Sequence, residues 1–368
     1  MAPSVSPTEA SIDVSAIVIA RNEEGNIVDC LRAVFRALDA AKDRNLFHTY
    51  EVVLVDSAST DRTVDLASAF PVVIARLRRE WPLSASAGKA TGVRLARGRF
   101  FLFVDGDYVM DPGWIPVAWG LLQHPEVAGV CGWDLEQVTG DSVLARRMAQ
   151  MNPVDMPELE EVDSIAAGLV KRPAYEMVGG LHPYLRGAED RDLGLRLLRA
   201  GWKILKTRHA MGLHRWLPPG QRLTYLVYYR SVAVWSLGDG QACRARWRDR
   251  PLRRAFLRRY GTLRYLIQDF QLDVTVILAL VNLSALRGGW SVAIAFLADL
   301  GALIAFHAWA RSKNCTWREA LFEFQGAFYG PYRQVLFALG LLRPSPPPET
   351  YPKDVEIVQE GQGPTRAR

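Results

Sequence analysis

The sequence has few cysteines, and they lie far apart. The four positions in 368 residues are Cys30, Cys131, Cys243 and Cys315, and no two of them stand in a CxxC pair. This spacing argues against a disulfide framework or a zinc site and is typical of a reducing compartment. The segment Met1–Glu9 is rich in Pro and Ser and lacks the apolar stretch of a secretory signal. We therefore expect a cytoplasmic catalytic part.

The sequence also lacks a large excess of one charge. It has 45 Lys and Arg against 39 Asp and Glu, a net charge of +6. Nine arginines and one acid, Asp249, lie between Arg244 and Arg264, so the positive excess is local and points to a local anionic partner. With 49% hydrophobic and 23% charged residues, the composition excludes a disordered chain and a membrane protein that is apolar throughout.

Short apolar runs alternate with helical spacing in the first half of the chain. The runs predict strands and the spacing predicts helices, at Val14–Ala20, Ile27–Leu38, Val52–Val55, Thr63–Ala69, Val72–Ala75, Ala87–Ala96 and Phe100–Val104 in turn. This alternation is typical of an α/β sheet with helical crossovers. Ligands collect at the carboxyl ends of such strands. Glu23, Asp56, Asp105 and Asp107 follow three of the strands, so we expect the site there.

The second half reads as helical. Val274–Leu286 and Trp290–Ala310 are its most hydrophobic segments, but the first is short and the second contains Asp299. A bilayer span needs about 20 apolar residues, so we expect a tilted hairpin dipping into a membrane, with a buried helical pair as the alternative. Glu319–Leu342 is amphipathic and suits an interfacial helix.

The arginine-rich segment stands directly before this hairpin. Arginines next to such a segment match the positive-inside bias and the attraction to anionic lipids. The alternative is a solvated helix face. The adjoining apolar segments favour a membrane surface over nucleic acid, so we expect no nucleic-acid partner.

The strongest local signal is Asp105-Gly106-Asp107, directly after a very apolar strand. Two carboxylates one residue apart point into one crevice, and the glycine between them allows close approach. Hard oxygen ligands suit Mg²⁺ or Mn²⁺, which usually also coordinates substrate phosphates. The alternative is a solvated turn.

Three more acids begin a later helix, and a histidine follows it. Glu189, Asp190 and Asp192 lie where the macrodipole favours acids, so capping is one interpretation, particularly for Asp192. A carboxylate at that place is also suited to act as a general base. His214 is either a metal ligand or a structural histidine.

Taken in order, these segments resemble a family 2 glycosyltransferase of GT-A fold, from about Asp13 to Trp216. The motifs that carry the resemblance are RNEEGN, DSASTDRT, AGKATGVRLARGRFFLFVDGD, AEDRDLGLRLLRAGWKI and the final histidine. The resemblance implies a Rossmann-like mixed sheet with helices on both faces, in an inverting, membrane-associated enzyme. The expected organisation is a flexible leader (1–12), the GT-A domain (13–216), a helical membrane-associated region (217–343) and a disordered tail (344–368).

The resemblance also assigns roles to residues. It implies a catalytic base, Asp190, with Glu189 beside it, and a divalent metal, Mn²⁺ or Mg²⁺, on Asp107 and His214. It implies a nucleotide-sugar site at Ala20, Arg21, Glu23, Asp56, Ser57, Lys89, Asp105 and Gly106. Two motifs depart from the family. The usual Gly-Gly-Phe-Asp is Gly-Gly-Leu-His at 179–182, and Gly212 replaces the glutamine of processive synthases, which argues against processivity.

The expected reaction moves a sugar from a UDP- or GDP-sugar to a hydroxyl acceptor that is lipid-linked or membrane-proximal. We expect it at an anionic membrane surface, on the cytoplasmic face of the cell membrane. Two alternatives stay open. A silent scaffold of the same fold would not need Asp105, Asp107 and Asp190, and a sugar nucleotidyltransferase would carry a Gly-rich basic loop where residues 21–24 are largely acidic.

Overall fold

The structure, a computed structural model, describes residues 12–137, 157–215, 217, 225–260, 297, 300, 301, 304 and 329–361. The chain divides into two compact units. One consists of Met1–Gly140, Met148–Leu223 and Ser345–Arg368, and the other of Asp141–Arg147 and Thr224–Pro344. The last segment of the chain therefore belongs with the first unit.

The first unit is built on one mixed sheet. Its strands are β1 (Val14–Ala20), β2 (Tyr50–Asp56), β3 (Val73–Arg76), β4 (Phe100–Asp105), β5 (Tyr108–Met110), β6 (Val127–Glu136), β7 (Leu159–Glu161), β8 (Gly168–Lys171), β9 (Lys203–His214) and β10 (Glu356–Gln359). Their spatial order is β10-β3-β2-β1-β4-β8-β6-β9-β5, with β7 paired to β9. The strands β3, β2, β1 and β4 are parallel, and β8 continues the sheet antiparallel to β4.

Helices cover both faces of this sheet. They are α1 (Ile27–Asp43), α2 (Thr63–Ala67), α3 (Ala85–Leu95), α4 (Trp114–Leu122), α5 (Arg172–Met177) and α6 (Glu189–Arg199). Because side chains alternate along a strand, Val14, Ala16 and Val18 of β1 join one buried cluster, which also holds α1 and α4. Ile17 points to the other face and joins a cluster with α3 and α6. Because a parallel strand is buried on both faces, its sequence is a continuous apolar run, as it is in β1.

The parallel register brings the polar strand ends together. Ala20 at the end of β1 is level with Asp56 at the end of β2, and Ile19 is level with Asp105 at the end of β4. The Ser57 N–H donates to Ala20 O at 2.8 Å, which ties the two loops at their starts. The strand ends at which the sequence predicts the site therefore lie side by side at one edge of the sheet.

The described part of the second unit is helical. It contains α7 (Tyr225–Ala245), α8 (Arg250–Tyr260) and α9 (Tyr329–Leu341). The Tyr332 hydroxyl donates to Tyr229 O at 3.1 Å, which links α9 to α7. No described helix is both long and apolar enough to cross a membrane. The predicted hairpin segments Val274–Leu286 and Trp290–Ala310 lie outside the described residues except for isolated positions, and the predicted interfacial helix is described only from Tyr329.

The prediction of a disordered tail is wrong for residues 345–361. A 3₁₀ turn at Pro348–Thr350 and the strand β10 occupy this segment. β10 pairs antiparallel with β3, with Glu356 level with Arg76 and Ile357 level with Ala75. An otherwise open edge strand offers unpaired N–H and C=O groups, and the segment satisfies them.

Candidate active site

A cleft of about 320 Å³ lies at the carboxyl ends of β1, β2 and β4. The predicted site residues that line it are Ala20, Arg21, Glu23, Ser57, Asp105, Gly106 and Asp107. Sequence reasoning missed Leu83, Ser84 and Ala85, which also line it. A signal for them existed, because Ser84 is the N-cap of α3 and accepts a hydrogen bond from the Ala87 N–H at 3.1 Å.

The glycine of the Asp-Gly-Asp turn has a packing role. The Gly106 N–H donates to Ile19 O at 2.8 Å. A Cβ on Gly106 would lie 3.0 Å from the Ala20 Cβ and 3.1 Å from Ile19 O. Since both contacts are tight, any side chain here would push the end of β4 away from the end of β1. The glycine therefore keeps Asp105 and Asp107 beside the β1 loop.

His214 lies between two carboxylates. Its Nε2 is 3.4 Å from Asp107 Oδ2, and its Nδ1 is 3.2 Å from Glu136 Oε2. Burial disfavours the charged imidazolium, but hydrogen bonds and charge from Asp107 and Glu136 outweigh it and raise the pKa of His214 to about 11. Sequence reasoning missed Glu136. It is level with His214 across the β6–β9 pair, a register that no local motif encodes.

Asp107 and His214 suit a divalent cation. The Asp107 Oδ1 is buried and has no hydrogen-bond partner among the described residues, and a carboxylate and an imidazole are ligands that Mn²⁺ accepts. Within the described part of the chain, no group of three or more His, Cys, Asp or Glu side chains is arranged to hold a metal. A cation held by these two side chains would take its other ligands from substrate or water.

Asp56 lies beneath the cleft surface and does not line the cleft. Its side chain is fully buried, accepts from the Ser59 N–H at 3.1 Å and pairs with Arg76 Nε at 3.0 Å. Ala58, which lies between Asp56 and Ser59 in the chain, has a left-handed backbone conformation, with φ of 57°. Such a conformation costs free energy in a non-glycine residue and commonly marks a functional loop. The structure thus makes Asp56 the anchor of this loop.

Lys89 is also placed differently from the expectation of a residue facing the donor. It is only 3% exposed, and its Nζ lies 3.3 Å from Asp105 Oδ1 and donates to Ala166 O at 2.8 Å. Burial disfavours its charge, but the carboxylates of Asp105, Glu189 and Asp190 prevail and raise the pKa of Lys89. One buried cation therefore connects the cleft with the acids that begin α6.

The two acids that begin α6 differ in access. Glu189 is buried, whereas Asp190 is half-buried. The residue before them, Ala188, has φ of 56° and gives the helix no side-chain cap. Asp192 is not a cap either, since it pairs with Arg196 at 2.7 Å within the helix. Asp190 is thus the more accessible of the two predicted catalytic carboxylates.

Glu189 is expected to make the stability of the protein depend on pH. Burial and the nearby Asp190 raise its pKa from 4.5 to about 7, although Lys89 acts in the opposite direction. Between these values the folded protein binds more protons than the unfolded chain, so stability falls as pH rises. Glu189→Gln should reduce this fall in the free energy of unfolding between low and high pH by up to about 3 kcal/mol. Urea unfolding at pH 5 and pH 8 measures this change in the free energy of unfolding, and the exposed Glu176→Gln is the control. An equal change between the two pH values in both variants would contradict the prediction.

The chain is similar to known proteins in sequence and in fold. Residues 15–152 match the family described as Glycosyl transferase family 2. Glycosyltransferase AglE of Haloferax volcanii is 25% identical over 240 residues, which are 61% of this chain and 74% of that protein. Dodecaprenyl-phosphate galacturonate synthase of Rhizobium johnstonii is 30% identical over 129 residues, 33% of this chain and 36% of the relative.

Among solved structures, the mannosyltransferase PcManGT from Pyrobaculum calidifontis, in complex with GDP-Man and Mn²⁺, has a TM-score of 0.57 at 19% identity. The match covers 92% of this chain and 90% of that one. The mixed sheet with helices on both faces is therefore a GT-A-like fold. Residues 15–152 form a glycosyl transferase family 2 domain, and the chain is a glycosyltransferase.

Proposed function

We propose that the enzyme transfers a sugar from a nucleotide-diphosphate donor to an acceptor hydroxyl with inversion at the anomeric carbon. The observation that carries this is the cleft, where the Asp105-Gly106-Asp107 turn meets the loops after β1 and β2. Lys89 connects Asp105 in that cleft to the acids at the start of α6. This link supports a donor site and a catalytic base that lie next to each other.

The donor end of the cleft suits a diphosphate. Asp107 and His214 would hold a divalent cation, Mn²⁺ or Mg²⁺, which when bound neutralises the charge that develops on the leaving diphosphate. PcManGT, which has a related fold, was solved with GDP-Man and Mn²⁺, and this supports a GDP-sugar as donor. A UDP-sugar is the other candidate. The loops after β1 and β2 would hold the nucleotide, with Arg21 and Ser57 facing it.

Asp190 is the group we assign to the acceptor. Its carboxylate takes the hydroxyl proton while the acceptor oxygen forms a bond to the anomeric carbon. The bond from that carbon to the diphosphate oxygen breaks on the opposite face, and the nucleoside diphosphate leaves. One displacement of this kind inverts the configuration and needs no covalent nucleophile.

We propose a lipid-linked acceptor at an anionic membrane surface, on the cytoplasmic face of the cell membrane. The Rhizobium relative is named for a dodecaprenyl phosphate. On α8, Leu252 and Phe256 are buried, while Arg250, Arg254 and Arg258 form an exposed basic face at helical spacing. This pattern supports attraction to anionic lipid headgroups.

A donor screen tests the reaction. UDP-, GDP- and dTDP-sugars are offered to the full chain with Mn²⁺ or Mg²⁺ and a polyprenyl-linked sugar whose hydroxyls serve as acceptor, and release of the nucleoside diphosphate and the configuration of the product are measured. We expect metal-dependent release from one donor class and an inverted product. A retained configuration, or no binding of any donor, would reject the proposal.

Glu136 is expected to increase the affinity for the metal by orienting His214. Its carboxylate accepts the proton of His214 Nδ1, which leaves Nε2 facing Asp107. Outer-shell partners of this kind typically change metal affinity by about 10–100-fold. Glu136→Gln should weaken Mn²⁺ binding by that factor in calorimetry without donor, while the exposed Glu160→Gln should leave it unchanged. Unaltered affinity in the Glu136 variant would show that the histidine needs no such support.

The basic face of α8 provides a prediction for the membrane. A triple Arg→Glu variant at Arg250, Arg254 and Arg258 should weaken binding to vesicles containing phosphatidylglycerol by about 100-fold or more, at about 1 kcal/mol for each arginine. Binding to neutral phosphatidylcholine vesicles should not change. Sedimentation of the full chain with each kind of vesicle measures both.

The control for this variant changes the same number of charges elsewhere. Arg32, Arg36 and Arg44 are exposed on and just after α1 in the first unit. If replacing these three with Glu reduces vesicle binding equally, net charge rather than the basic face of α8 is responsible, and the proposed surface is wrong.

A further inference from the structure

The segment Ser345–Gly361, here called the strap, contacts a loop of the catalytic unit at several points. Tyr351 is 3% exposed, and its hydroxyl donates to Pro82 O at 2.9 Å. Its ring meets Trp81 edge-on, with centroids 5.9 Å apart. Asp354 pairs with Arg78 at 3.2 Å. The strap therefore holds the loop Leu77–Ser84, which runs between β3 and α3.

That loop contributes to two neighbouring clefts. Leu83 and Ser84 line the cleft that contains Asp105 and Asp107. Leu77 and Arg78 line a second cleft of about 490 Å³, together with Glu356 of the strap. The two clefts adjoin along Ser57–Ser59, because Ser57 lines the first while Ala58 and Ser59 line the second.

The order of the strands in the sheet indicates whether the second cleft would bind the nucleoside or the sugar of a nucleotide-sugar donor. The strands run β4, β1, β2, β3 in space, and Asp107 after β4 marks the diphosphate. On the β8 side of β4 the Ile165 N–H reaches Asp190 O at 3.5 Å, so the base and the transferred sugar lie on that side. The nucleoside must extend the opposite way, across β1 and β2 toward β3, where the second cleft opens.

We propose that the strap is part of the donor site: it fixes the loop Leu77–Ser84 as a wall and places Glu356 at the nucleoside end. This inference rests on the proposed function. Glu356 is exposed beside Arg76 and lines the second cleft. An ionised carboxylate only accepts hydrogen bonds, so Glu356 takes N–H groups of the base or hydroxyls of the ribose. The strap thereby contributes to the choice of nucleotide.

The test uses three variants of the full chain, with UDP, GDP and dTDP as probes in calorimetry and the matching sugars in kinetics. Glu356→Ala removes the carboxylate, and Tyr351→Ala removes the buried anchor of the strap. Glu360→Ala is the matched control, since Glu360 is exposed on the same segment and does not line the second cleft.

Glu356→Ala should raise the Kd of the preferred nucleoside diphosphate and the KM of its sugar about tenfold, corresponding to about 1.4 kcal/mol. Its kcat should stay within about twofold, and the preference between UDP and GDP should narrow. Tyr351→Ala should show the same narrowing, and Glu360→Ala should behave as the original chain. A general loss of stability would not change the nucleotide preference.

Two results would overturn the inference, and they can be told apart. If the original chain binds one nucleoside diphosphate and both the Glu356 and Tyr351 variants bind it with the same Kd and the same preference, the strap has no part in the donor site. If the original chain binds none of the three, the proposed function itself fails and the inference fails with it.

Discussion

Asp190→Asn is expected to reduce kcat by about 10²–10⁴-fold while leaving donor binding unchanged. An amide has the shape of the carboxylate but cannot take the proton of the acceptor hydroxyl, and a positioned general base typically contributes a factor of that size. Asp190 is half-buried at the start of α6 and is the more accessible of the two acids there. Single-turnover kinetics with saturating donor isolates the chemical step, and calorimetry with the nucleoside diphosphate checks binding.

The neighbouring acid makes this experiment specific. Glu189 is buried, and its pKa is raised to about 7 by burial and by Asp190, so Glu189→Gln should affect stability more than the chemical step. Glu176→Gln, on the surface of α5 beside Arg172, should change neither. If Asp190→Asn keeps kcat within tenfold of the original while Glu189→Gln loses it, the base is Glu189 and our assignment is wrong.

The parallel half of the sheet could be predicted because each strand is buried on both faces. Val14–Ala20 is buried nearly throughout, and the structure gives β1 the bounds that the sequence predicts. The carboxylates that follow β1, β2 and β4 then meet at one edge by strand register alone. A continuous apolar run that ends in acids therefore predicts both the element and the edge where ligands bind.

The antiparallel half and the strap could not be predicted in the same way. Glu136 reaches His214 only because β6 and β9 pair in one particular register, and registers between distant strands depend on tertiary packing. The strap contains three consecutive prolines, Pro346–Pro348, and has little apolar content, which is typical of a disordered tail. Its order comes from one buried tyrosine and from the open edge of β3.

Lys89 shows how a local motif can predict importance but misplace the side chain. The resemblance assigns Lys89 to the nucleotide-sugar site, whereas the structure buries its ammonium on the predicted helix α3. A Cβ on Gly88 would meet Ile19 Cγ2 at 2.9 Å, which shows how closely α3 packs on β1 here. That packing directs the next side chain toward Asp105, inside the molecule.

Lys89→Met is accordingly expected to destabilise the protein by about 3 kcal/mol at pH 8, the lower end of what removing one partner of a buried ion pair costs. Methionine fills similar space but leaves the carboxylates of Asp105, Glu189 and Asp190 without their shared cation. We expect the lower end because the Asp105 side chain is 38% exposed and water screens part of the loss. The lysine contributes fully at this pH, since its raised pKa means that its stabilisation is lost only above its ordinary value.

The same variant should lose less stability at pH 5 than at pH 8. Lys89 lowers the pKa of Glu189, so without it Glu189 binds a proton more readily and the repulsion among the three acids decreases at low pH. Lys203→Met is the matched control, because Lys203 pairs with Glu161 at 3.2 Å where both side chains are about half exposed. Such a pair contributes at most about 1 kcal/mol. Urea unfolding at the two pH values compares the variants, and an equal, pH-independent cost for both would mean that Lys89 does not hold the acids of the cleft and of α6 together.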